Sequence, residues 1–474
     1  MIDGASGTWV PERRLLTVGL IGLVTAAAFE GMAVPTVLPA MVKDLGGLDL
    51  YGWAFSAFWL TNIIGITLAG SDADRSGPGR ALAIGVVLFA GGMLVSGIAT
   101  GMPLVIAGRA IQGFGSGAIG SVVYAAIARA YPASATPRMI ALVSSAWVVP
   151  GLIGPALAGT VSDAIGWRWV FLGIVPPVLL MGLAVYPQLA RLEPAQRSSV
   201  PVRTDGQRAV DALRLAVGST LLLAALSIGS LPLALALVAG GGWLALAALR
   251  HLLPPGALRL ARGRPSVVAV VFGIAFAFFG TEAFVPLSVV EVRNGSVTLG
   301  GIALSAAAVT WAAGSWLQAR AASAGIRRAL ATSGSGLIAA GIVVTSLVLV
   351  PSVPILVAAL GWAVAGLGMG LAYSMLALIM LETSTPGEEG FSSSAIQLMF
   401  TLGTAFGAGI GGAVVAVADA GATGLAPVLA IVFAMMLAMA LTTLAIAFRV
   451  PHGAPKERRA PERPALTRIP SEHP

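Results

Sequence analysis

Apolar segments of roughly 20 residues, long enough to cross a lipid bilayer as helices, recur along almost the whole chain. We place twelve of them, near 15–40, 50–70, 80–100, 103–130, 138–162, 169–189, 265–290, 297–318, 328–350, 354–381, 392–418 and 424–448. Only 10% of the residues are charged, whereas an ordinary soluble protein has about 25%. The sequence therefore predicts an all-α membrane protein.

The stretch between the sixth and seventh segments decides the architecture. Residues 215–249 contain no charge and are interrupted by Gly-Ser-Leu-Pro at 229–232. A single helix of this length would measure about 52 Å, whereas the hydrocarbon core measures about 30 Å, so we predict two shorter helices. Arginine clusters flank the stretch and should lie on one side of the membrane, which requires an even number of crossings. We therefore predict two six-helix bundles plus two extra linker helices, 14 transmembrane helices in all.

These boundaries divide the chain into five parts. We predict an N-terminal six-helix bundle over 1–190, a cytoplasmic linker over 191–214, an inserted two-helix hairpin over 215–249, a C-terminal six-helix bundle over 265–450 and a disordered cytoplasmic tail over 451–474. Of the 28 Lys and Arg residues, Lys43, Arg168 and Arg293 alone fall in outside segments, and Arg109 lies within a span. The positive-inside rule then places both termini in the cytoplasm.

Two short sequences recur in the second half of the chain. FEGMAVP at 29–35 returns as TEAFVP at 281–286, and QGFGSG at 112–117 returns as AGLGMG at 365–370, both at an offset of about 252 residues. The shared offset favours an internal repeat over the general similarity of glycine-rich helices. Repeated bundles around a central pathway are a common plan of secondary transporters, with the site near the middle of the membrane.

The loop after the second span reads GSDADRSGPGR at 70–80 and resembles the signature loop of the major facilitator superfamily. The matching positions are Gly70, Asp74, Arg75, Gly77 and Arg80. The loop departs from the family pattern at Asp72, where an aliphatic residue is usual. The resemblance implies a conformational switch in which Asp74 docks on the opposite bundle, at the helix start near Phe391–Ser393, where a carboxylate is favourable.

Two further spans resemble motifs of the same family. LVIAGRAIQGFGSG in the fourth span resembles the motif associated with proton coupling, and PGLIGPALAG in the fifth resembles the motif that marks antiporters. The matching residues are Arg109, Gln112, Gly113 and Gly115 in the first motif, and Gly151, Gly154, Pro155 and Gly159 in the second. With WRWVFLGIVP at 167–176, the chain is most similar to the 14-span drug–proton antiporter branch. The second half fits less well, because Trp362 occupies the place of Arg109.

Glu30 lies inside the first apolar run, where a carboxylate costs a few kcal/mol and is a functional candidate. Drug exporters of this family often have an acidic residue there, and Glu282 holds the corresponding position in the second bundle. The resemblance implies that Glu30, Arg109 and Glu282 couple the movement of protons and substrate. Two alternatives stay open: Glu30 can be a static partner of Arg109, and Glu282 can be exposed to water at the outer interface.

The resemblance implies a proton-coupled exporter of lipophilic or cationic drugs in a bacterial inner membrane, with protons and a small amphipathic molecule as its ligands. Export of a lipid or glycolipid is the alternative, and nutrient import or a non-transporting sensor are weaker ones. We expect a monomer surrounded by membrane lipids, with no nucleic-acid partner. We also expect no cofactor, metal site or enzyme activity, because Cys is absent, the spans contain no His, and Lys43 and Lys456 lie outside any phosphate-binding loop.

Overall fold

The computed structural model describes residues 9–132, 134–192, 205–321, 326–384, 388–419 and 424–451, and no β-strand occurs in these ranges. The first half contains α1 (Pro11–Leu45), α2 (Tyr51–Ser76), α3 (Pro78–Gly97), α4 (Met102–Ala130), α5 (Thr136–Ser145), α6 (Val148–Ile165), α7 (Arg168–Leu172) and α8 (Val175–Leu189). The hairpin segment contains α9 (Asp205–Ala225) and α10 (Leu231–Leu252). The second half contains α11 (Arg264–Glu282), α12 (Val285–Leu287), α13 (Val297–Ala321), α14 (Arg327–Ser346), α15 (Val357–Glu382), α16 (Glu389–Asp419) and α17 (Leu425–Ala447).

Thirteen helical segments of the described chain are long and apolar enough to cross a membrane. In this count α5 and α6 form one segment, α7 and α8 form another, and α11 continues through α12 to Val292. Helix α9 has 21 residues and adds a further helix of sufficient length, although its first half carries charges. The predicted fold class is confirmed, and the predicted count of 14 transmembrane helices is approximately supported. The predicted linker at 191–214 lies partly, and the predicted tail at 451–474 almost entirely, outside the described residues.

Glycine and proline set the ends of several helices. Helix α1 is followed by Gly46 and Gly47, whose φ angles of 70° and 78° favour glycine. Gly77, with φ of 88°, makes the sharp turn between α2 and α3 in the same way. Pro78 then begins α3, where a proline loses no helical hydrogen bond because the first amides of a helix have no partner within it.

The two bundles repeat the same close helix packing. Helix α4 packs on α2 and α3 in the first bundle, and α15 packs on α13 and α14 in the second. A side chain at Gly113 of α4 would collide with the carbonyl oxygen of Phe58, and one at Gly366 of α15 would collide with that of Ala307. Gly113 and Gly366 hold equivalent places in the two recurring sequences, so the repeat preserves positions where backbones approach without side chains between them.

We refer to the end of the molecule at which α1 finishes as the outer end and to the opposite end as the inner end. The α9–α10 hairpin packs where α2 of the first bundle meets α16 of the second. Toward the outer end, Leu223 of α9 forms a cluster with Leu60 and Ala405. Toward the inner end, Asp211 of α9 is buried and lies 3.4 Å from Nδ1 of His251 in α10. The hairpin therefore contacts both bundles.

Candidate transport site

Glu30 in α1 forms an ion pair with Nη1 of Arg109 in α4, and the two side chains are only 1% and 2% exposed. The same Nη1 donates a hydrogen bond to Oε1 of Gln112 at 2.8 Å. The guanidinium also donates from Nε to the carbonyl oxygen of Ala54 at 3.1 Å, and it lies 4.2 Å above the ring of Phe58. Groups from α1, α2 and α4 thus compensate the buried guanidinium, as a buried charge requires.

The ion pair is incompletely hydrogen-bonded. Oε2 of Glu30 and Nε2 of Gln112 are both buried, and neither has a hydrogen-bond partner among the described residues. A buried polar group without a partner costs about 1–3 kcal/mol. The carboxylate of Glu30 therefore has one oxygen, Oε2, without a hydrogen-bond donor among the described residues.

The second bundle places Glu282 and Trp362 at the positions that Glu30 and Arg109 hold in the first. Trp362 is fully buried and stacks on Phe278 with ring centroids 4.5 Å apart. Its indole Nε1 approaches Glu282 but lies outside hydrogen-bonding geometry. Glu282 is half-buried, between fully buried neighbours, well before the span ends at Val292. Within the described part of the chain, no cationic side chain forms an ion pair with this carboxylate.

Aromatic side chains form a continuous cluster around Phe278, which we refer to as the aromatic cluster. Its members are Trp59, Phe278, Phe279, Trp311, Trp362, Tyr373 and Phe400, and neighbouring ring centroids lie 4.5–6.5 Å apart. Trp59 belongs to the first bundle and the others to the second, so the cluster crosses the interface between bundles. Most members are half-buried rather than sealed. Aromatic faces attract cations, and a carboxylate nearby strengthens such a site.

Asp74, in the last turn of α2 rather than in a loop, pairs with Arg129 at the end of α4 through a 2.7 Å contact. Both residues belong to the first bundle. The contact that we expect between Asp74 and the start of α16 is therefore not formed here among the described residues. Ser392, at that helix start, instead accepts a hydrogen bond from Arg264 of its own bundle at 2.7 Å. The docking of Asp74 stays a prediction for another conformation.

The other residues of the signature loop have simpler surroundings. Gly70 faces α4, because a side chain added there would contact Cβ of Ser121 at 4.0 Å. Arg75 and Arg80 are exposed, and Nε of Arg80 lies 3.9 Å from the carboxylate of Asp72. Apart from the turn at Gly77, these side chains make few buried contacts. The loop is thus accessible at the inner end of the molecule.

The antiporter motif in α6 lies at the interface between the bundles. Gly154 packs against Phe29 of α1, whereas Gly151 packs against both Met32 of α1 and Ala308 of α13. Further along α6, a side chain at Gly159 would lie only 2.7 Å from Cα of Thr298, and one at Gly301 of α13 would collide with the carbonyl oxygen of Pro155. The small residues of this motif therefore allow α6 to approach the second bundle closely.

Hydrogen bonds that the sequence did not indicate join the outer halves of the bundles. The hydroxyl of Tyr51 donates to the carbonyl oxygen of Ala283 at 2.8 Å, and that of Ser56 donates to Ala405 at 2.8 Å. The carboxylate of Asp163 in α6 accepts hydrogen bonds from the start of α13. Tyr and Ser are unremarkable in such helices. Asp163 carried the one usable signal, since acidic residues are rare in this chain and this one ends an apolar span.

Two equivalent helical bundles that meet around buried acidic and aromatic residues define a membrane transporter. The family model of the Major Facilitator Superfamily matches residues 19–408, and the chain belongs to this family. It is 28% identical over 443 residues to a probable multidrug-efflux transporter of Mycobacterium tuberculosis, covering 88% of this chain and 91% of the relative. It is 26% identical over 420 residues to the multidrug transporter protein MdtP of Bacillus subtilis, covering 85% of this chain and 75% of the relative.

Solved structures show the same fold. A bacterial homologue of the human lysosomal transporter Spinster, in an inward-facing and occupied conformation, matches with a TM-score of 0.66 at 15% identity over 93% of this chain and 97% of that one. A D-xylose–proton symporter matches with a TM-score of 0.62 at 16% identity over 92% of this chain and 98% of that one. As a member of the Major Facilitator Superfamily with transporter relatives, the protein is a multi-pass integral membrane protein that transports small molecules and is not an enzyme.

Proposed function

We propose that this transporter exports lipophilic or cationic drugs in exchange for protons, by alternating access to a site between the bundles. The observation that carries the proposal is the buried, incompletely hydrogen-bonded carboxylate of Glu30 beside Arg109. The names of the two curated relatives, both multidrug transporters, support the substrate class at 28% and 26% identity. The small-residue contacts of α6 support exchange, because that helix carries the antiporter motif and packs on the second bundle.

Protonation of Glu30 would change the contact between α1 and α4. The ionised carboxylate neutralises Arg109, whereas a neutral acid holds the guanidinium less strongly. A proton bound at Oε2 would therefore favour a conformation in which the two helices separate. By linkage, a conformation that separates them would also favour the proton. Phe29, next to Glu30, contacts Gly154 of α6, so a movement of α1 reaches the interface between the bundles.

The second half would supply the drug site. Glu282 has no cationic partner among the described residues, and the aromatic cluster lies beside it through Trp362 and Phe278. A lipophilic cation can place its charge near the carboxylate and its apolar groups against the aromatic faces. The two acids would then have separate tasks: Glu30, balanced by Arg109, carries the proton, and Glu282 balances the cationic drug.

We place the protein in a bacterial inner membrane as a monomer, with both termini in the cytoplasm and the outer end facing outside. The distribution of basic residues supports this orientation, and the bacterial relatives support the membrane. In this orientation the proton gradient would be directed from the outer end to the inner end. The potential across the membrane alone supplies about 2.3 kcal/mol per charge for each 100 mV.

The proposal is tested with the purified protein in proteoliposomes and an imposed pH gradient, using a fluorescent lipophilic cation and a fluorescent lipid in parallel. We expect the cation to move against the proton flow and to stop moving when the gradient is collapsed. Glu30→Gln should abolish this gradient-driven transport. Glu291→Gln is the matched control, because Glu291 is an exposed acid at the outer end of the second bundle.

Each result bears on one part of the proposal. Full gradient-driven transport by Glu30→Gln would remove Glu30 from the mechanism. Lipid movement without cation transport would replace drug export by lipid or glycolipid export. Equal loss of activity in Glu30→Gln and Glu291→Gln would show a general effect of losing an acid. Size-exclusion chromatography of both variants checks that the protein remains folded.

A further inference from the structure

Asp163, near the end of α6, bonds to the first residues of α13 in the other bundle. Its Oδ1 accepts a hydrogen bond from the amide of Val297 at 3.3 Å, and its Oδ2 accepts one from the amide of Thr298 at 2.9 Å. The hydroxyl of Thr298 also donates to Oδ2 at 2.6 Å. One carboxylate thus accepts three hydrogen bonds across the interface between the bundles.

The start of α13 depends on this carboxylate. The first four amides of a helix have no acceptor within the helix itself. The side chain of Ser296 accepts a hydrogen bond from the amide of Leu299 at 3.2 Å, and the carbonyl oxygen of Ser296 accepts one from Gly300 at 3.3 Å. The remaining two amides, those of Val297 and Thr298, are satisfied by Asp163. A negative charge at a helix N-terminus is also favoured by the helix dipole.

The surroundings bring the two helices close enough for this contact. Gly159, one turn before Asp163, lies directly against the backbone of Thr298. One further turn back, the amide of Ala156 donates a hydrogen bond to Oγ of Ser305 in α13 at 3.3 Å. The capping contact is therefore the outermost of a continuous series of contacts between α6 and α13. It cannot persist if the outer ends of these helices separate.

We propose that Asp163 sets the equilibrium between the two access conformations by capping α13 only while the outer end is closed. This inference rests on the alternating access of the proposed function. A contact present in one conformation and absent in the other biases their populations by its own free energy. Asp163 is a positioning residue: it acts on the interface and contacts neither of the two acids assigned to the proton and the drug.

The arrangement mirrors the contact expected of Asp74. Asp163 belongs to the first bundle and caps a helix of the second at the outer end. Asp74 also belongs to the first bundle, and its expected contact is the start of a helix of the second bundle at the inner end. In this structure the outer contact is formed, and Asp74 pairs with Arg129 of its own bundle. Two capping carboxylates at opposite ends would be engaged alternately.

The test uses the absence of cysteine from the chain. Spin labels are attached at Thr100→Cys and Ser352→Cys, which are exposed residues in outer loops of the two bundles. Pulsed electron paramagnetic resonance measures the distance between the two labels, which increases when the outer end opens. The protein is measured in lipid nanodiscs without substrate or pH gradient. We expect Asp163→Asn to raise the population with long distances several-fold. Asp44→Asn is the matched control, because Asp44 bonds to Arg168 of its own bundle at the same end.

A second label pair separates a shifted equilibrium from local disruption. Ser134→Cys and Gly390→Cys place labels on exposed residues at the inner ends of the two bundles. When Asp163→Asn lengthens the outer distance, the inner distance should shorten, since the bundles move as units. An unchanged outer distribution in Asp163→Asn, or an equal shift in Asp44→Asn, would overturn the proposal. A longer outer distance with an unchanged inner distance would overturn it too. None of these readouts depends on which substrate or ion is transported.

Discussion

At the scale of single residues, the two bundles place an acid at the same position but give it neighbours of different chemistry. Glu30 and Glu282 hold equivalent positions in the two bundles. The residue that faces Glu30 from the fourth span of its bundle is Arg109, whereas the residue beside Glu282 at the equivalent position is Trp362. A guanidinium neutralises a carboxylate, whereas an indole can only donate one hydrogen bond and offer an aromatic face. The two acids therefore differ in net charge balance although the backbone around them is similar. This difference is the physical basis for assigning them separate tasks.

The charge of Glu282 should matter for cationic ligands only. Glu282→Gln keeps the size of the side chain and removes its charge, so we expect the Kd for a lipophilic phosphonium cation to rise about tenfold, or ~1.4 kcal/mol. The Kd for the neutral phosphine oxide of the same shape should stay unchanged. Tryptophan fluorescence quenching of the purified protein measures both constants, and Glu291→Gln serves as the control. Equal weakening for the cation and the neutral compound would contradict the role of charge.

Which residues meet at the site could be predicted only in part. A charged pair was foreseeable for Glu30 and Arg109, because two charges within apolar spans need a partner. Their incomplete hydrogen bonding was not, since it depends on side-chain conformations that the sequence does not report. The aromatic cluster was not foreseeable as a connected group. Its members come from five helices, and no sequence periodicity reports how those helices face one another.

At the scale of helices, glycine positions fix the distance between neighbours. Gly113→Ala would force the new methyl group onto the carbonyl oxygen of Phe58, so we expect a loss of about 1–3 kcal/mol and a lower Tm. Gly120→Ala on the same helix is the matched control, because nothing lies within 4 Å of its added Cβ. There the change should be neutral or stabilising by up to about 1 kcal/mol. Thermal unfolding in detergent, followed by tryptophan fluorescence, compares the variants.

The internal repeat extends this prediction to the second bundle. Gly366→Ala should lower Tm by an amount similar to Gly113→Ala, because the carbonyl oxygen of Ala307 takes the place of that of Phe58. An unchanged Tm in Gly366→Ala would show that the repeat preserves the sequence without preserving the close approach of the two helices.

The positions and order of the helices were predictable because apolar length is a strong local signal. Cross-bundle contacts such as that of Asp163 were not, since they depend on which conformation the bundles adopt.

At the scale of the whole molecule, the α9–α10 hairpin ties the two bundles together and determines their relative orientation in the membrane. Because α9 and α10 form one hairpin, the linker before α9 and the loop after α10 lie at the same end. Both bundles then begin on the same side, as an internal repeat of parallel units requires. The hairpin also contacts α2 and α16, two of the helices that join the outer halves of the bundles. In the proposed alternating access, the hairpin must therefore follow the movement of α2 and α16 while it stays packed on both.

The orientation can be tested directly because the parent chain has no cysteine to react. Ser230→Cys lies in the exposed turn between α9 and α10, and Ala261→Cys lies in the exposed loop between α10 and α11. A membrane-impermeant maleimide applied to intact cells should label Ser230→Cys, and it should label Ala261→Cys only after the membrane is permeabilised. The reverse labelling pattern would show that the protein has the opposite orientation in the membrane, and the proposed direction of transport would then be reversed. Labelling of both from one side would mean that α10 does not cross, which the basic residues on both sides of the hairpin make unfavourable.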